Sequence, residues 1–200
     1  MNKVVFAFGR FQPPTIGHAL LVEKTQSIAS DIGADHVIYV SKTCDSKKNP
    51  LTIEQKMKYL SLMFPYTNFA ACNNEIRTFV ETAKYLNNRY DELIMVAGSD
   101  RVAVFDKILQ DCNGKDFNYR SIRVVSSGIR DDDENSASGM SGTKMRALAM
   151  ANEFDKFYRG LPCTISIEDA MNLMYDIRLS SLLPARKKRN AIKTVDRCNL

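Results

Sequence analysis

Two hundred residues, 44% of them hydrophobic, suffice for one ordinary domain with a buried core and exclude two full ones. No apolar run approaches the ~20 residues needed to cross a bilayer. The formal charge of +5 is concentrated at one end: six basic residues against Asp196 alone follow Pro184, leaving 22 basic and 22 acidic residues for a neutral body.

The apolar run Val4-Val5-Phe6-Ala7-Phe8 predicts a buried strand over Lys3–Phe8. It ends at Gly9, and Arg10, Phe11, Gln12 and two prolines lead to a helix expected over Gly17–Ile32, with His18 on its first turn. Further strands are expected at His36–Ser41, Asn68–Cys72, Glu92–Ala97 and Ser121–Ser126. Helices over Thr52–Met63, Ile76–Asn88 and Arg101–Gln110 alternate with them. Ser126–Gly139, rich in Ser, Gly and Asp and without period, reads as a surface loop. A fifth helix starts near Ser141, and Ser166 ahead of Glu168 and Asp169 predicts a last one over Ile167–Ser181. This alternation predicts an α/β fold: a doubly wound, Rossmann-like parallel sheet of five strands in the order 3-2-1-4-5, followed by C-terminal helices. The chain then reverses between strands one and four, and the crevice at their carboxyl ends, flanked by Gly9-Arg10 and Gly98-Ser99-Asp100-Arg101, is the expected site.

The chemistry of those loops suits phosphate. A helix N-terminus offers free backbone N–H groups and its macrodipole, Gly17 permits close approach, and Arg10 and His18 add donors. Ser141 and Thr143 sit where N-cap and first-turn hydroxyls belong, and Arg146, one turn beyond Thr143, shares its face, so hydroxyl and guanidinium can grip one phosphate. Lys144 points elsewhere and reads as solvated, as does the acidic loop Asp131-Asp132-Asp133-Glu134, whose composition suggests a lid. Thr52 and Gln55 form a capping box. His36 reads as structural, and Asp100 either caps a helix or binds substrate. The five cysteines are scattered, without Cys-x-x-Cys, and read as reduced thiols; no metal-ligating set is evident.

Pro14-Thr15-Ile16-Gly17-His18 resembles the His-x-Gly-His signature of a nucleotidyltransferase superfamily, with threonine at the first position. Met140-Ser141-Gly142-Thr143-Lys144-Met145-Arg146 is similar to its Ser-x-Thr-x-x-Arg element, in the right order and about 125 residues later. Gly9-Arg10-Phe11-Gln12-Pro13 and Asn49-Pro50-Leu51-Thr52 with Lys56 resemble one branch of nicotinamide mononucleotide (NMN) adenylyltransferases, in which Lys56 stands where arginine is usual. The pattern, including Gly160-Leu161-Pro162, is also similar to short nucleotidyltransferase-like proteins of tailed bacteriophages.

The resemblance implies a nucleotidyltransferase domain over residues 1–160, a helical appendage at 161–183 and a basic tail at 184–200. It implies transfer of a nucleotidyl group, adenylyl from ATP first and cytidylyl from CTP second, to a small phosphate-bearing acceptor, with Mg²⁺ and release of pyrophosphate. NMN is the first acceptor; flavin mononucleotide, phosphopantetheine and phosphorylated alcohols are the others. By resemblance His18, Thr15 and Arg146 are catalytic. Gly9, Arg10, Phe11, Gly17, Gly98, Asp100, Ser141 and Thr143 join His18 and Arg146 in holding the nucleotide, and Lys47, Asn49 and Lys56 hold the acceptor. No tryptophan is present to stack a pyridine ring; Tyr39, Phe79, Tyr85 and Phe105 are the candidates. The opposing reading is a non-catalytic nucleotide-binding or virion-associated module, with the tail contacting nucleic acid weakly. A cytoplasmic location, host cytoplasm if phage-encoded, and a homo-oligomer complete the expectations.

Overall fold

The computed structural model describes residues 2–128 and 140–182. The acidic segment 131–134, most of the predicted loop, and the tail at 184–200 with Cys198 lie outside the described residues. Five parallel strands, β1 (Lys3–Gly9), β2 (Asp35–Val40), β3 (Phe69–Ala71), β4 (Glu92–Ala97) and β5 (Ser121–Ser126), form one sheet in the order β3-β2-β1-β4-β5. Seven helices accompany them: α1 (Ala19–Ile32), α2 (Ile53–Met63), α3 (Phe79–Leu86), α4 (Val102–Cys112), α5 (Gly142–Met150), α6 (Phe154–Arg159) and α7 (Ile167–Leu182). The predicted architecture and strand order are those observed.

Alternation within the central strands feeds two cores. Val4 and Phe6 of β1 with Leu93 and Met95 of β4 face Ala83, Leu86 and Leu109 of α3 and α4. Val5 and Ala7 with Ile94 and Val96 face Val22, Ala29 and Leu60 of α1 and α2. Both faces are covered, so these strands are apolar throughout. A third cluster lies off the sheet: Leu51, Tyr59 and Met63 pack with Met145, Phe157, Leu173 and Ile177, joining α2 to α5, α6 and α7. Tyr59 donates to Asp176 Oδ2 at 2.7 Å and Thr164 to the Met63 carbonyl at 2.7 Å, and the Ile16 N–H donates to the Gly160 carbonyl at 2.9 Å. Those bonds tie α2 to α7 and the loop after β1 to the end of α6.

Several boundaries differ for local reasons. The expected helix at Gly17 begins instead as a 3₁₀ turn, Ile16–His18, because the His18 ring folds back onto the Thr15 backbone; α1 follows at Ala19 and ends at Gly33, whose φ of 61° is the left-handed C-cap that glycine favours. β3 is shorter than predicted, an edge strand paired only with β2. The Asn73 side chain accepts from the Glu75 and Ile76 N–H groups, so α3 starts only after Thr78, whose capping box with Glu81 replaces the expected start at Ile76. α6 was not predicted. Thr52 and Gln55 cap α2 reciprocally, as expected. Cys44, Cys72, Cys112 and Cys163 are free thiols.

Candidate active site

β1 ends beside β2 and β4, so the loop after it opens into the crevice where the strand order reverses. Gly9 is required there, since a Cβ would lie 2.5 Å from the Phe11 ring. That ring is buried and sits 4.7 Å from the His18 ring. Phe11 holds a positive φ of 48°, a strained backbone retained at the edge of the site.

His18 is fixed from one side. The Thr15 N–H donates to its Nδ1 at 3.1 Å, and Thr15 Oγ1 lies 2.9 Å from the same atom. A backbone N–H only donates, so Nδ1 accepts and the proton of the neutral ring resides on Nε2. Thr15 is 1% exposed; its hydroxyl is engaged with the imidazole and orients it.

The second motif meets the first directly. Arg146 donates from one nitrogen to the Gln12 carbonyl at 2.5 Å and from another to Thr143 Oγ1 at 3.1 Å. Gly142 makes that approach feasible: a Cβ there would stand 2.7 Å from the Gln12 oxygen. Ser141 caps α5 by accepting from the Lys144 N–H at 3.2 Å. Burial lowers the Arg146 pKa first, the Arg10 guanidinium lowers it further, and Asp45 opposes both. Two guanidiniums therefore repel across the crevice, and an anion between them would relieve that repulsion. Lys144, expected to be solvated, is half-buried.

Gln12 was not singled out as a site residue, yet it ties the region together. Its side-chain amide donates to the carbonyls of Leu51 at 2.7 Å and Thr43 at 3.1 Å, and its Oε1 accepts from the Leu51 N–H at 2.9 Å. It clamps the segment 43–51 that carries Lys47 and Asn49. Within that segment the Asp45 carboxylate accepts from the Lys47, Lys48 and Asn49 backbones and from the Asn49 side chain, which holds its pKa down at about 2. Lys47 is exposed, whereas Asn49 is buried with its amide engaged on Asp45. Lys56 is fully buried and donates to the Ser41 and Thr43 carbonyls; burial lowers its pKa to about 8. Its ammonium shapes the loop after β2 from beneath.

On the other side, Gly98 starts a 3₁₀ turn, Ser99–Arg101. Asp100 caps no helix: the N-cap of α4 is Arg101, without a side-chain bond, and the exposed Asp100 carboxylate accepts from Arg101 Nε at 3.2 Å. Of the candidate aromatics, Tyr39 is buried and Tyr85 exposed, while Phe79 and Phe105 form a half-buried pair with centroids 4.4 Å apart. Among the described residues no group of three His, Cys, Asp or Glu is placed to hold a metal ion, and no helix is long and apolar enough to cross a membrane.

The cytidylyltransferase-like family profile matches residues 6–148, more than half of the chain and both ends of this site. The chain belongs to the cytidylyltransferase-like family, a family of nucleotidyltransferases. No curated protein matches it in sequence. Solved structures share the fold: Plasmodium falciparum nicotinic acid mononucleotide adenylyltransferase complexed with NaAD (TM-score 0.55, 12% identity, covering 88% of this chain and 98% of that one). A putative nicotinate-nucleotide adenylyltransferase from Vibrio parahaemolyticus is similar to the same degree (TM-score 0.54, 13% identity, 88% and 99% covered). This cytidylyltransferase-like chain therefore has its two signature segments in one crevice.

Proposed function

We propose that the protein transfers an adenylyl group from ATP to a phosphate-bearing acceptor, with a pyridine mononucleotide such as NMN as the first candidate. The observation that carries this reading is the contact of Arg146 with the Gln12 carbonyl, which sets a guanidinium and the Thr143 hydroxyl beside the Thr15–His18 pair. The named activities of the fold neighbours support a pyridine mononucleotide acceptor, and the Phe79–Phe105 pair offers an aromatic surface where the chain has no tryptophan.

An acceptor phosphate oxygen attacks the α-phosphorus; the new P–O bond forms as the bond to the β-phosphate oxygen breaks, and pyrophosphate leaves with that electron pair. The acceptor is already ionised at neutral pH, so no base is needed. His18 Nε2–H donates to the charge that develops on the phosphoryl oxygens, Arg146 and Thr143 hold the departing β- and γ-phosphates, and Arg10 adds a second cation. Thr15 and Gln12 are positioning residues. Mg²⁺ carried in as part of the Mg–ATP substrate would supply charge neutralisation on the phosphates; among the described residues no group of three His, Cys, Asp or Glu is placed to hold it. Lys47 and Asp100, both exposed, are the acceptor-side candidates, whereas Asn49 and Lys56 are buried and engaged on the protein itself.

Pyrophosphate release from purified protein tests the reading, with ATP and CTP each crossed against NMN, nicotinate mononucleotide, flavin mononucleotide, phosphopantetheine and glycerol 3-phosphate in Mg²⁺. Release with ATP and a pyridine mononucleotide is expected. Release with another pair replaces the substrate, and silence with measurable ATP binding replaces catalysis by a nucleotide-binding module.

A further inference from the structure

Helix α7 is apolar on two faces, and among the described residues only one of them is covered. Ala170, Leu173, Met174 and Ile177 are buried against the C-terminal cluster. Ile167, Met171, Tyr175 and Leu179, spaced by four, are 57%, 53%, 62% and 41% exposed. Residues four apart form one continuous ridge on a helix. An exposed ridge of four large side chains exceeds the scattered apolar residues of an ordinary surface and marks a contact.

We propose that α7 is a self-association surface, on which two copies of this chain pair antiparallel about a two-fold axis at the level of Leu173. The inference stands independently of the catalytic reading. The charges along the helix select the arrangement. Glu168 and Asp169 lie in the first turn and Arg178 near the end. With the axis at Leu173, Met171 lies level with Tyr175 of the second copy, Ile167 with Leu179, and Glu168 with Arg178. A parallel pair would instead set acid beside acid and align the helix dipoles. An isologous contact of this kind closes on itself. Interdigitated i±4 ridges cross at about −50°, which concentrates contact on Met171 and Tyr175. Four large side chains per copy, doubled by the axis and rimmed by Glu168, Asn172 and Arg178, supply area on the order of the ~1,200 Å² at which specific interfaces begin. Arg178 donates to Asn152 from one guanidinium nitrogen, and the fork has further N–H donors to meet Glu168 of the second copy.

Sedimentation equilibrium of the full 200-residue chain tests the proposal, with circular dichroism melts to verify folding. The unmodified chain is expected to be a dimer at micromolar concentration. Tyr175→Glu is expected to weaken it by at least ~100-fold, as for a central contact, without changing the melt. Val104→Glu, at an equally exposed apolar site on α4, is expected to leave the dimer intact. Glu168→Arg is expected to weaken it and Glu168→Arg with Arg178→Glu to restore it. A monomer at 100 µM, whether or not the basic tail covers α7, overturns the proposal; so does a dimer that survives Tyr175→Glu. Failure of the charge exchange to restore pairing overturns the antiparallel arrangement.

Discussion

The loops that follow β1 and β4 face each other across the crevice and are built in opposite ways. After β1 the Thr15 N–H and hydroxyl are engaged on His18, the Gln12 amide on two carbonyls and one N–H, and the Gln12 carbonyl on Arg146. After β4, among the described residues, Asp100 bonds only its neighbour Arg101, with both side chains mostly in solvent. Under the proposed function the contrast would separate two tasks. Transition-state charge is stabilised by groups that do not reorganise, which demands the rigid side. The exposed side is left for an acceptor to organise.

Breaking the rigid side has the largest expected effect. His18→Ala removes the Nε2 donor and is expected to lower turnover by about 10²–10³-fold with ATP affinity within about tenfold; initial rates and ATP titrations measure both, and near-wild-type turnover would remove His18 from the mechanism.

Lys56 gives the next effect through pH. Its folded pKa, about 8, lies below the ordinary value of 10.5, so between those values the unfolded chain binds the additional proton and stability rises with pH. Below pH 8 the full cost of the buried charge persists. Relative to Lys56→Met, the unmodified protein should gain up to about 3 kcal/mol between pH 8 and 10.5, read from urea unfolding; parallel pH profiles would contradict the burial of the ammonium.

Gln12→Ala leaves the N–H and carbonyl of the buried Leu51 without their side-chain partner and is expected to cost about 1–3 kcal/mol, with a loosened 43–51 segment. Hydrogen exchange of that segment and a thermal melt measure it. The smallest effect belongs to Asp45→Asn. The Asp45 pKa is depressed from 3.8 to about 2, so its stabilisation is present above pH 3.8 and fades as pH falls through 2. The stability gap between the two proteins should close over that acid window.

The same contrast governs what the sequence discloses. β1 and β4 are legible because both of their faces are covered, which writes an uninterrupted apolar run. The Thr15–His18 and Thr143–Arg146 contacts are legible because those residues stand three positions apart within local turns. Gln12 is not, since its partners lie 31 and 39 positions away and include only backbone atoms, which leave no trace in residue type. Lys56, expected from the resemblance to hold the acceptor, is instead buried on the Ser41 and Thr43 carbonyls, backbone partners that leave no trace in residue type. The six residues of α6 are too few to display a helical period. The aromatic surface is equally hidden, because the Phe79–Phe105 pair depends on how α3 and α4 enter the sheet.

The central claim is that the two signature segments close on one triphosphate. A crystal structure of the protein with ATP and Mg²⁺ tests it most directly. The α- and β-phosphates are expected within hydrogen-bond distance of His18 Nε2 and the terminal phosphates on Arg146 and Thr143. A triphosphate bound elsewhere, or held with His18 and Arg146 both out of reach, would contradict it.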